Sequence, residues 1–240
     1  MKKIIVMFAL SLLVLSCKSA GSSSALVQKI IYEKAVITYG NGDVVKGYVE
    51  LVDPFYTKIK FKQTEKGNVQ SLVSDDIKKI EYTDKDGTEF LAERLFRYVD
   101  KGDKGIVKKE KLWLFTVYSK GMKLAVARSS STFSYNANTG TSVGSGPSTG
   151  LYMGKDSEDG VFFVFDLSDQ TSINIGMDKS VRKHCNLLFK DCPKFLAAIN
   201  AENFKKNTLI NKLIELYETN DCNKPVVVAT PKKASPKKKK

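Results

Sequence analysis

The sequence predicts an α+β fold: an antiparallel β-sheet or small barrel over residues 27–170, followed by a helical subdomain over 171–223. Three observations support this prediction. From Val27 to about Leu167, apolar and polar residues alternate with the period of a half-buried strand. After about Ser172 the apolar spacing changes to the 3.6-residue period of a helix. The ten tyrosines and thirteen phenylalanines also favour β structure.

Short alternating runs separated by turn residues make up the first half of the predicted sheet. The runs are 35–39, 44–51, 57–62, 69–73, 77–82 and 88–98. Asn41-Gly42 lies between the first two runs and predicts a hairpin, because tight hairpin turns need positive φ at their central residues. In the third run lysines alternate with Ile59 and Phe61, which predicts one solvent face and one core face.

The second half of the predicted sheet contains a long polar segment. Strands are predicted over 111–118, 122–127, 151–153 and 161–167. Between the second and third of these lies a stretch rich in Ser, Thr, Gly and Asn, residues 129–150. A structureless loop of this length is unusual in a compact domain. The segment is therefore either a mobile binding loop or the tip of an extended hairpin.

Three helices and one disulfide are predicted for the C-terminal part. The helices cover 177–189, a segment that starts at Cys192-Pro193, and 209–217, which Asn207 caps. An antiparallel arrangement of the last two would bring Cys192 close to Cys222, so these two cysteines are predicted to pair and Cys185 to stay buried on its helix. Pairing of Cys185 with Cys192 is the alternative.

The first seventeen residues have the organisation of a secretory signal. Met1-Lys2-Lys3 is positively charged, an apolar run of about twelve residues follows, and Ser16 precedes Cys17. The run is too short to span a bilayer, which takes roughly twenty residues. Val14 to Cys17 resembles the lipobox of bacterial lipoproteins. An ordinary signal peptide with an incidental cysteine is the alternative.

The lipobox resemblance implies a cellular location for the protein. A signal peptide over 1–16 would be removed, Cys17 would carry the acyl chains, and residues 17–26 would form a lipidated tether. A second acyl chain converts marginal membrane binding into stable anchoring. Surface-exported lipoproteins of the Bacteroidota tend to carry acidic residues just after the lipidated cysteine, whereas the first acidic residue here is Glu33. For a chain from an organism of that kind, the resemblance implies a periplasm-facing protein at the outer membrane.

The net charge of +13 is largely a terminal effect. Two lysines lie in the signal peptide and six in the last nine residues, which leaves +5 for residues 18–231. An exported protein rarely meets nucleic acid, so we expect no nucleic-acid partner. A disordered tail over 224–240 that contacts anionic lipid headgroups or surface phosphates is one interpretation, and a merely solvated tail is the alternative. The tail lysines are Lys232, Lys233, Lys237, Lys238, Lys239 and Lys240.

One motif carries potential chemistry. Gly140-Thr141-Ser142-Val143-Gly144 matches the G-x-S-x-G of hydrolases, which places its serine on a sharp turn between a strand and a helix. The flanking residues do not fit that context, and the only available base is His184, the single histidine. A hydrolase that acts on envelope polymers or peptides through Ser142 and His184 is therefore the alternative function. With one histidine and no C-x₂-C pair, neither a metal site nor a cofactor site is expected.

Two stretches resemble a group of uncharacterised envelope proteins from the Bacteroidota. The first contains Tyr39-Gly40-Asn41-Gly42-Asp43, Gly47-Tyr48-Val49 and Asp76-Ile77; the second runs from Lys190-Asp191-Cys192-Pro193 to Cys222. The resemblance implies location and architecture and adds no site residue. The leading prediction is a membrane-anchored, exported lipoprotein that acts as a non-enzymatic binding or scaffold module of the bacterial envelope.

Overall fold

Twelve strands and three α-helices make up the regular structure of the computed structural model, which describes residues 30–129, 132–136, 141–145, 148–167, 176–220 and 222. The strands are β1 (Tyr32–Tyr39), β2 (Val44–Glu50), β3 (Lys58–Lys62), β4 (Gln70–Val73), β5 (Ile77–Thr83), β6 (Glu89–Asp100), β7 (Ile106–Lys120), β8 (Met122–Ser129), β9 (Thr132–Asn136), β10 (Thr141–Ser145), β11 (Ser148–Lys155) and β12 (Gly160–Asp166). The helices are α1 (Met177–Leu188), α2 (Pro193–Ala201) and α3 (Leu209–Thr219). The predicted α+β class is confirmed.

Ten of the described strands form one sheet that closes on itself at one end. The strand order is β12-β11-β8-β7-β6-β5-β1-β2-β3-β4, and β12 also pairs with β6. Strands β6, β7, β8, β11 and β12 therefore form a closed five-stranded barrel. The closing pair is parallel, with Gly160 opposite Phe96 and Phe162 opposite Tyr98. Strands β1 to β5 continue the sheet beyond β6 and lie outside the barrel.

The strands outside the barrel enclose a second core, which also contains Ala92 of β6 and Trp113 of β7. The predicted β1–β2 hairpin is present, with Thr38 opposite Val44 and Gly42 at φ 95°. Ile59 and Phe61 are buried as predicted, while Lys58 and Lys60 are exposed. Alternation therefore sends one face of each strand inward. The core comprises Ala35, Ile37, Val49, Val52, Ile59, Phe61, Ile77, Ile80, Tyr82, Ala92 and Trp113.

The barrel interior is filled by side chains, as expected for so few strands. Each of the five strands contributes at least one member: Leu95, Leu112, Leu114, Ala125, Ala127, Tyr152 and Val161. The neighbouring positions on β8, β11 and β12 point outward, where the helices cover them. Strands β8 and β11 are consequently buried over almost continuous runs rather than at alternate positions.

The helices and the outer face of the barrel share one hydrophobic core. On the sheet side it includes Met122, Leu124, Leu151, Met153 and Phe162. On the helix side it includes Val181, Cys185, Leu188, Phe195, Ile199, Leu209, Leu213 and Tyr217. Pro193 occupies the first turn of α2, where a missing backbone N–H costs nothing. The predicted domain boundary between residues 170 and 171 lies outside the described residues.

Residues 129–150, for which two arrangements were open, contain a hairpin. Strands β9 and β10 pair with Thr132 opposite Ser145, and β8 pairs with β11 with Ser129 opposite Ser148. In the chain, β9 follows β8 and β10 precedes β11, so the β9–β10 hairpin lies between the two paired strands β8 and β11. The interpretation as an extended hairpin is therefore the one that the described residues support.

Closure of the barrel depends on a close contact at the start of β12. The Tyr98 hydroxyl donates to the Asp159 carboxylate at 2.8 Å, and the Lys108 ammonium reaches the same carboxylate at 2.8 Å. A Cβ on the neighbouring Gly160 would overlap the Tyr98 ring. Only glycine leaves room for this ring beside the parallel pair of β6 and β12.

Gly160→Ala is expected to destabilise the protein by about 2 kcal/mol, because the added methyl group forces Tyr98 out of its position. Urea unfolding followed by the fluorescence of Trp113, the single and fully buried tryptophan, measures the loss. Gly40→Ala is the matched control, since its Cβ would meet nothing nearer than 3.7 Å. Equal urea midpoints for the two variants would show that closure of the barrel does not depend on the close contact between Gly160 and Tyr98.

A buried ion pair lies at one end of the barrel. Lys123 on β8 donates to Glu93 on β6 at 3.1 Å, and Thr116 on β7 donates to the other oxygen of Glu93 at 2.5 Å. The side chains of Lys123 and Glu93 are only 7% and 17% exposed. In its own strand, each of the three residues lies two positions from a side chain that fills the barrel interior. The three side chains therefore face the same interior and cover one end of it.

Lys123→Met is expected to lower the free energy of unfolding by about 3 kcal/mol, because it leaves the Glu93 carboxylate buried without its counterion. Adding Glu93→Gln to Lys123→Met should restore most of that stability, since the amide still accepts from Thr116 and no charge is buried. Urea midpoints of the variants make the comparison. A double variant as unstable as the single one would contradict a charge-based role.

Candidate functional site

The most exposed aromatic residue of the described chain, Phe55, lies in the connection between β2 and β3. We call residues 51–57 the aromatic turn. Phe55 is 65% exposed, and Leu51 and Tyr56 are each 39% exposed. Large apolar side chains are not needed in a turn for folding, and exposed apolar groups that lie together mark contact surfaces. The turn is therefore a candidate contact site.

The backbone of the aromatic turn is held in place by buried residues. Val52 is buried in the core of β1 to β5. The carbonyl oxygen of Pro54 accepts from the Trp113 amide at 3.0 Å and from Arg94 at 3.4 Å. The Asp53 carbonyl accepts from the amide of Tyr56 at 3.1 Å. Phe55 and Tyr56 are thus presented on a fixed backbone.

Arg94 and Trp113 connect this turn to the short 3₁₀ segment 74–76. Arg94 donates to the Asp75 carboxylate at 3.1 Å and lies 5.7 Å from the Trp113 ring. The Trp113 indole donates to the Ser74 hydroxyl at 3.1 Å. The Arg94 side chain is almost fully buried, so its charge is satisfied by these partners rather than by water.

A buried carboxylate lies where the turn begins. Glu50 is the strand partner of Tyr32, and its carboxylate accepts from the Lys60 amide at 2.6 Å. The pKa values of Tyr32 and Tyr56 are both raised, first by partial burial and then by this carboxylate. The start of β1 and the aromatic turn therefore flank the same group. Lys62 also lies over the Tyr32 ring, 4.1 Å from its centroid.

An open groove of about 590 Å³ lies beside the β1–β2 hairpin. Its lining residues are Tyr39, Gly40, Asn41, Asp43, Asp75 and Asp76. Asn41 donates to Asp43 at 2.7 Å, and the pKa of Tyr39 is raised by partial burial and by the carboxylates of Asp76 and Asp43. The groove is acidic, yet the described residues contain no group of three His, Cys, Asp or Glu that could hold a metal ion.

The two residues of the predicted hydrolase lie in settings that do not match that mechanism. Ser142 is in the middle of β10, opposite Tyr135, whereas a nucleophile elbow needs a sharp turn into a helix. His184 is on α1, where its Nδ1 lies 2.8 Å from the Ser180 carbonyl oxygen and its ring lies 5.4 Å from Phe162. Burial lowers the pKa of this histidine.

The predicted pairing of Cys192 with Cys222 is confirmed. The bond joins the residue before α2 to a residue just after α3, with the two Cα atoms 5.5 Å apart. Cys185 is a buried thiol, with its sulfur 3.9 Å from that of Met153. Burial raises the pKa of Cys185 to about 12. This thiol is therefore protonated at neutral pH and shielded from reagents.

Several predicted residues lie outside the described part of the chain. They are the signal peptide 1–16, Cys17 and the tether 17–26, and the tail with Lys232, Lys233, Lys237, Lys238, Lys239 and Lys240. Their roles stay predictions. Among the described residues, no helix has the length and apolar character needed to cross a bilayer.

Neither a protein-family model, nor a curated protein, nor a solved structure matches this chain. The resemblance to a Bacteroidota envelope group stays a prediction.

The sequence analysis did not predict the aromatic turn as a contact site, because Asp53-Pro54 indicates only the end of a strand. The signal that could have revealed it is the pair Phe55-Tyr56 directly after those turn residues, where apolar side chains have no predicted core to enter. The pairing of Glu93 with Lys123 was also missed. These residues belong to strands that are neighbours of β7 and not of each other, so the pair depends on the sheet order.

For the Cys17→Ser chain we expect no reaction with a thiol reagent in native conditions, one labelled thiol in denaturant and three after reduction. The physical reason is that Cys185 is buried with a raised pKa and the other two cysteines are bonded. Intact mass after labelling counts the thiols. A chain with Cys185→Ala as well should lose the thiol that appears in denaturant. Three labelled thiols without reduction would contradict the disulfide.

Proposed function

We propose that this protein is an exported, lipid-anchored module of the bacterial envelope that binds or scaffolds and is not an enzyme. The observation that carries the binding role is the aromatic turn, in which Phe55 and Tyr56 are exposed on a backbone fixed by Pro54, Arg94 and Trp113. A fixed surface loses little conformational entropy when it meets a partner, and this favours binding through few residues. The anchoring role rests on the signal-like segment 1–16 and on Cys17.

The hairpin β9–β10 and the lysine tail are further contact surfaces in this proposal. The tail would meet anionic headgroups or surface phosphates near the anchor, because each lysine close to an anionic surface contributes roughly 1 kcal/mol. The hairpin extends the β8–β11 pair of the barrel, so it is carried by a rigid support. The location proposed is the periplasm-facing side of the outer membrane. The strand geometry at Ser142 gives no support to the hydrolase alternative.

Cys17→Ser is expected to move the protein from the membrane fraction to the soluble fraction, because the acyl chains supply the membrane affinity. Intact mass of the wild-type protein extracted from membranes should equal residues 17–240 plus acyl chains, and the variant should lack this addition. Cys185→Ala is the matched control and should stay with the membrane. A wild-type chain in the soluble fraction without added mass would contradict the anchor.

A further inference from the structure

We propose that the aromatic turn, together with Lys58 and Lys60 of β3, docks onto the anionic lipid surface next to the anchor and sets the orientation of the domain. This inference rests on the proposed function, because it assigns a partner to the contact site of an anchored protein. It goes beyond anchoring, since the acyl chains alone would leave the domain free to rotate above the bilayer.

The number of residues between the proposed anchor and the strands would keep the membrane within reach of this turn. The compact unit that holds the strands and helices begins at Tyr32, fifteen residues after Cys17. A flexible segment of fifteen residues has an average end-to-end distance of roughly 20 Å. Tyr32 is opposite Glu50, and the aromatic turn starts at the next residue, Leu51. The anchor therefore holds this end of the sheet within a short distance of the lipid surface.

The side chains of the turn match the chemistry of a lipid interface. Tyrosine and tryptophan concentrate at the level of the headgroups because their rings are apolar and carry one polar group, and phenylalanine is an apolar ring that inserts at the same boundary. Phe55 and Tyr56 supply such rings, and Lys58 and Lys60 follow on the exposed face of β3. Lysines beside an anionic membrane are attracted to its headgroups. The combination of exposed rings and ammonium groups points to anionic lipid.

A surface this small suits a tethered protein. A few exposed side chains cannot hold a soluble protein on a membrane, because loss of overall freedom opposes their contribution. Once the acyl chains hold the domain, docking becomes an intramolecular step at high effective concentration. The fixed backbone of the turn helps in the same way, because Phe55 and Tyr56 can meet the lipid without a backbone rearrangement. Weak contacts are then sufficient to select one orientation.

The test introduces an indole at the turn by Phe55→Trp in the full, lipidated chain. The protein is reconstituted into vesicles of phosphatidylglycerol and phosphatidylethanolamine that carry brominated acyl chains, which quench nearby indoles. An interfacial side chain lies ~5–10 Å into the headgroup boundary, so about a two-fold loss of the added emission is expected. Ile106→Trp is the matched control, because Ile106 is 50% exposed on β7 and lies outside the turn. Buried Trp113 reports that each variant is folded.

The outcomes separate the docking surface from the anchor. Cosedimentation with quenching only at position 55 supports docking. Cosedimentation with no quenching, or with equal quenching at both positions, overturns the docking surface and leaves the anchor in place. If the chain does not cosediment with the vesicles, the proposed anchor is wrong. The docking proposal depends on the anchor and is then wrong as well. A photo-crosslinker at position 55 that captures one envelope protein, with no quenching in vesicles, assigns the turn to a protein partner and also overturns docking on lipid.

The lysines provide an independent arm of the test. Lys58→Gln with Lys60→Gln should reduce quenching of the indole that Phe55→Trp introduces, without changing cosedimentation. Replacing the anionic lipid with phosphatidylcholine should have the same effect. Lys78→Gln with Lys109→Gln removes two exposed lysines on other strands and should leave quenching unchanged. Quenching that survives both the lysine changes and the neutral lipid would overturn the electrostatic part of the proposal.

Discussion

The fold depends on β6, because this strand belongs to both halves of the sheet. Its first residues pair with β5, with Glu89 opposite Thr83, and residues 96–98 pair with β12. The side chains on the outer face of β6 also belong to two different cores. Ala92 lies in the core of β1 to β5, and Tyr98 lies in the core beneath the helices. A change that shifts the register of β6 would thus disturb both cores together, since a shift by one residue turns every side chain to the opposite face.

The same constraint explains why the aromatic turn is rigid. Arg94 and Trp113 occupy neighbouring strands, opposite one another in the β6–β7 ladder, and both reach the carbonyl oxygen of Pro54. The turn is therefore fixed by strands of the barrel and not only by the strands that it connects. The backbone that carries the exposed rings is thus ordered without a partner, which is what a contact surface of few residues requires.

Much of the architecture follows from local patterns, and the rest depends on which strands become neighbours. The predicted helix over 177–189 corresponds to α1, the alternation of 57–62 to β3, and the pairing of Cys192 with Cys222 to the observed disulfide. The parallel contact of β6 with β12 could not be predicted, because β8 and β11 are buried on both faces and so lack the alternation that marks a barrel wall. The candidate site escaped prediction for a related reason: Phe55 is conspicuous only once every core is known to be filled without it.

The proposed membrane location and the proposed orientation of the domain depend on different features of this chain. The proposed anchor is a linear signal that can be read before folding, since it needs only residues 1–17 in an extended chain. The proposed docking surface exists only after folding, because the position of Phe55 and Tyr56 depends on contacts with Arg94 and Trp113, about forty and sixty residues further on. An unfolded chain would thus be anchored without being oriented. Together, the two proposed signals would restrict lipid-surface docking to the folded protein and would hold the hairpin β9–β10 and the acidic groove in a defined direction relative to the membrane.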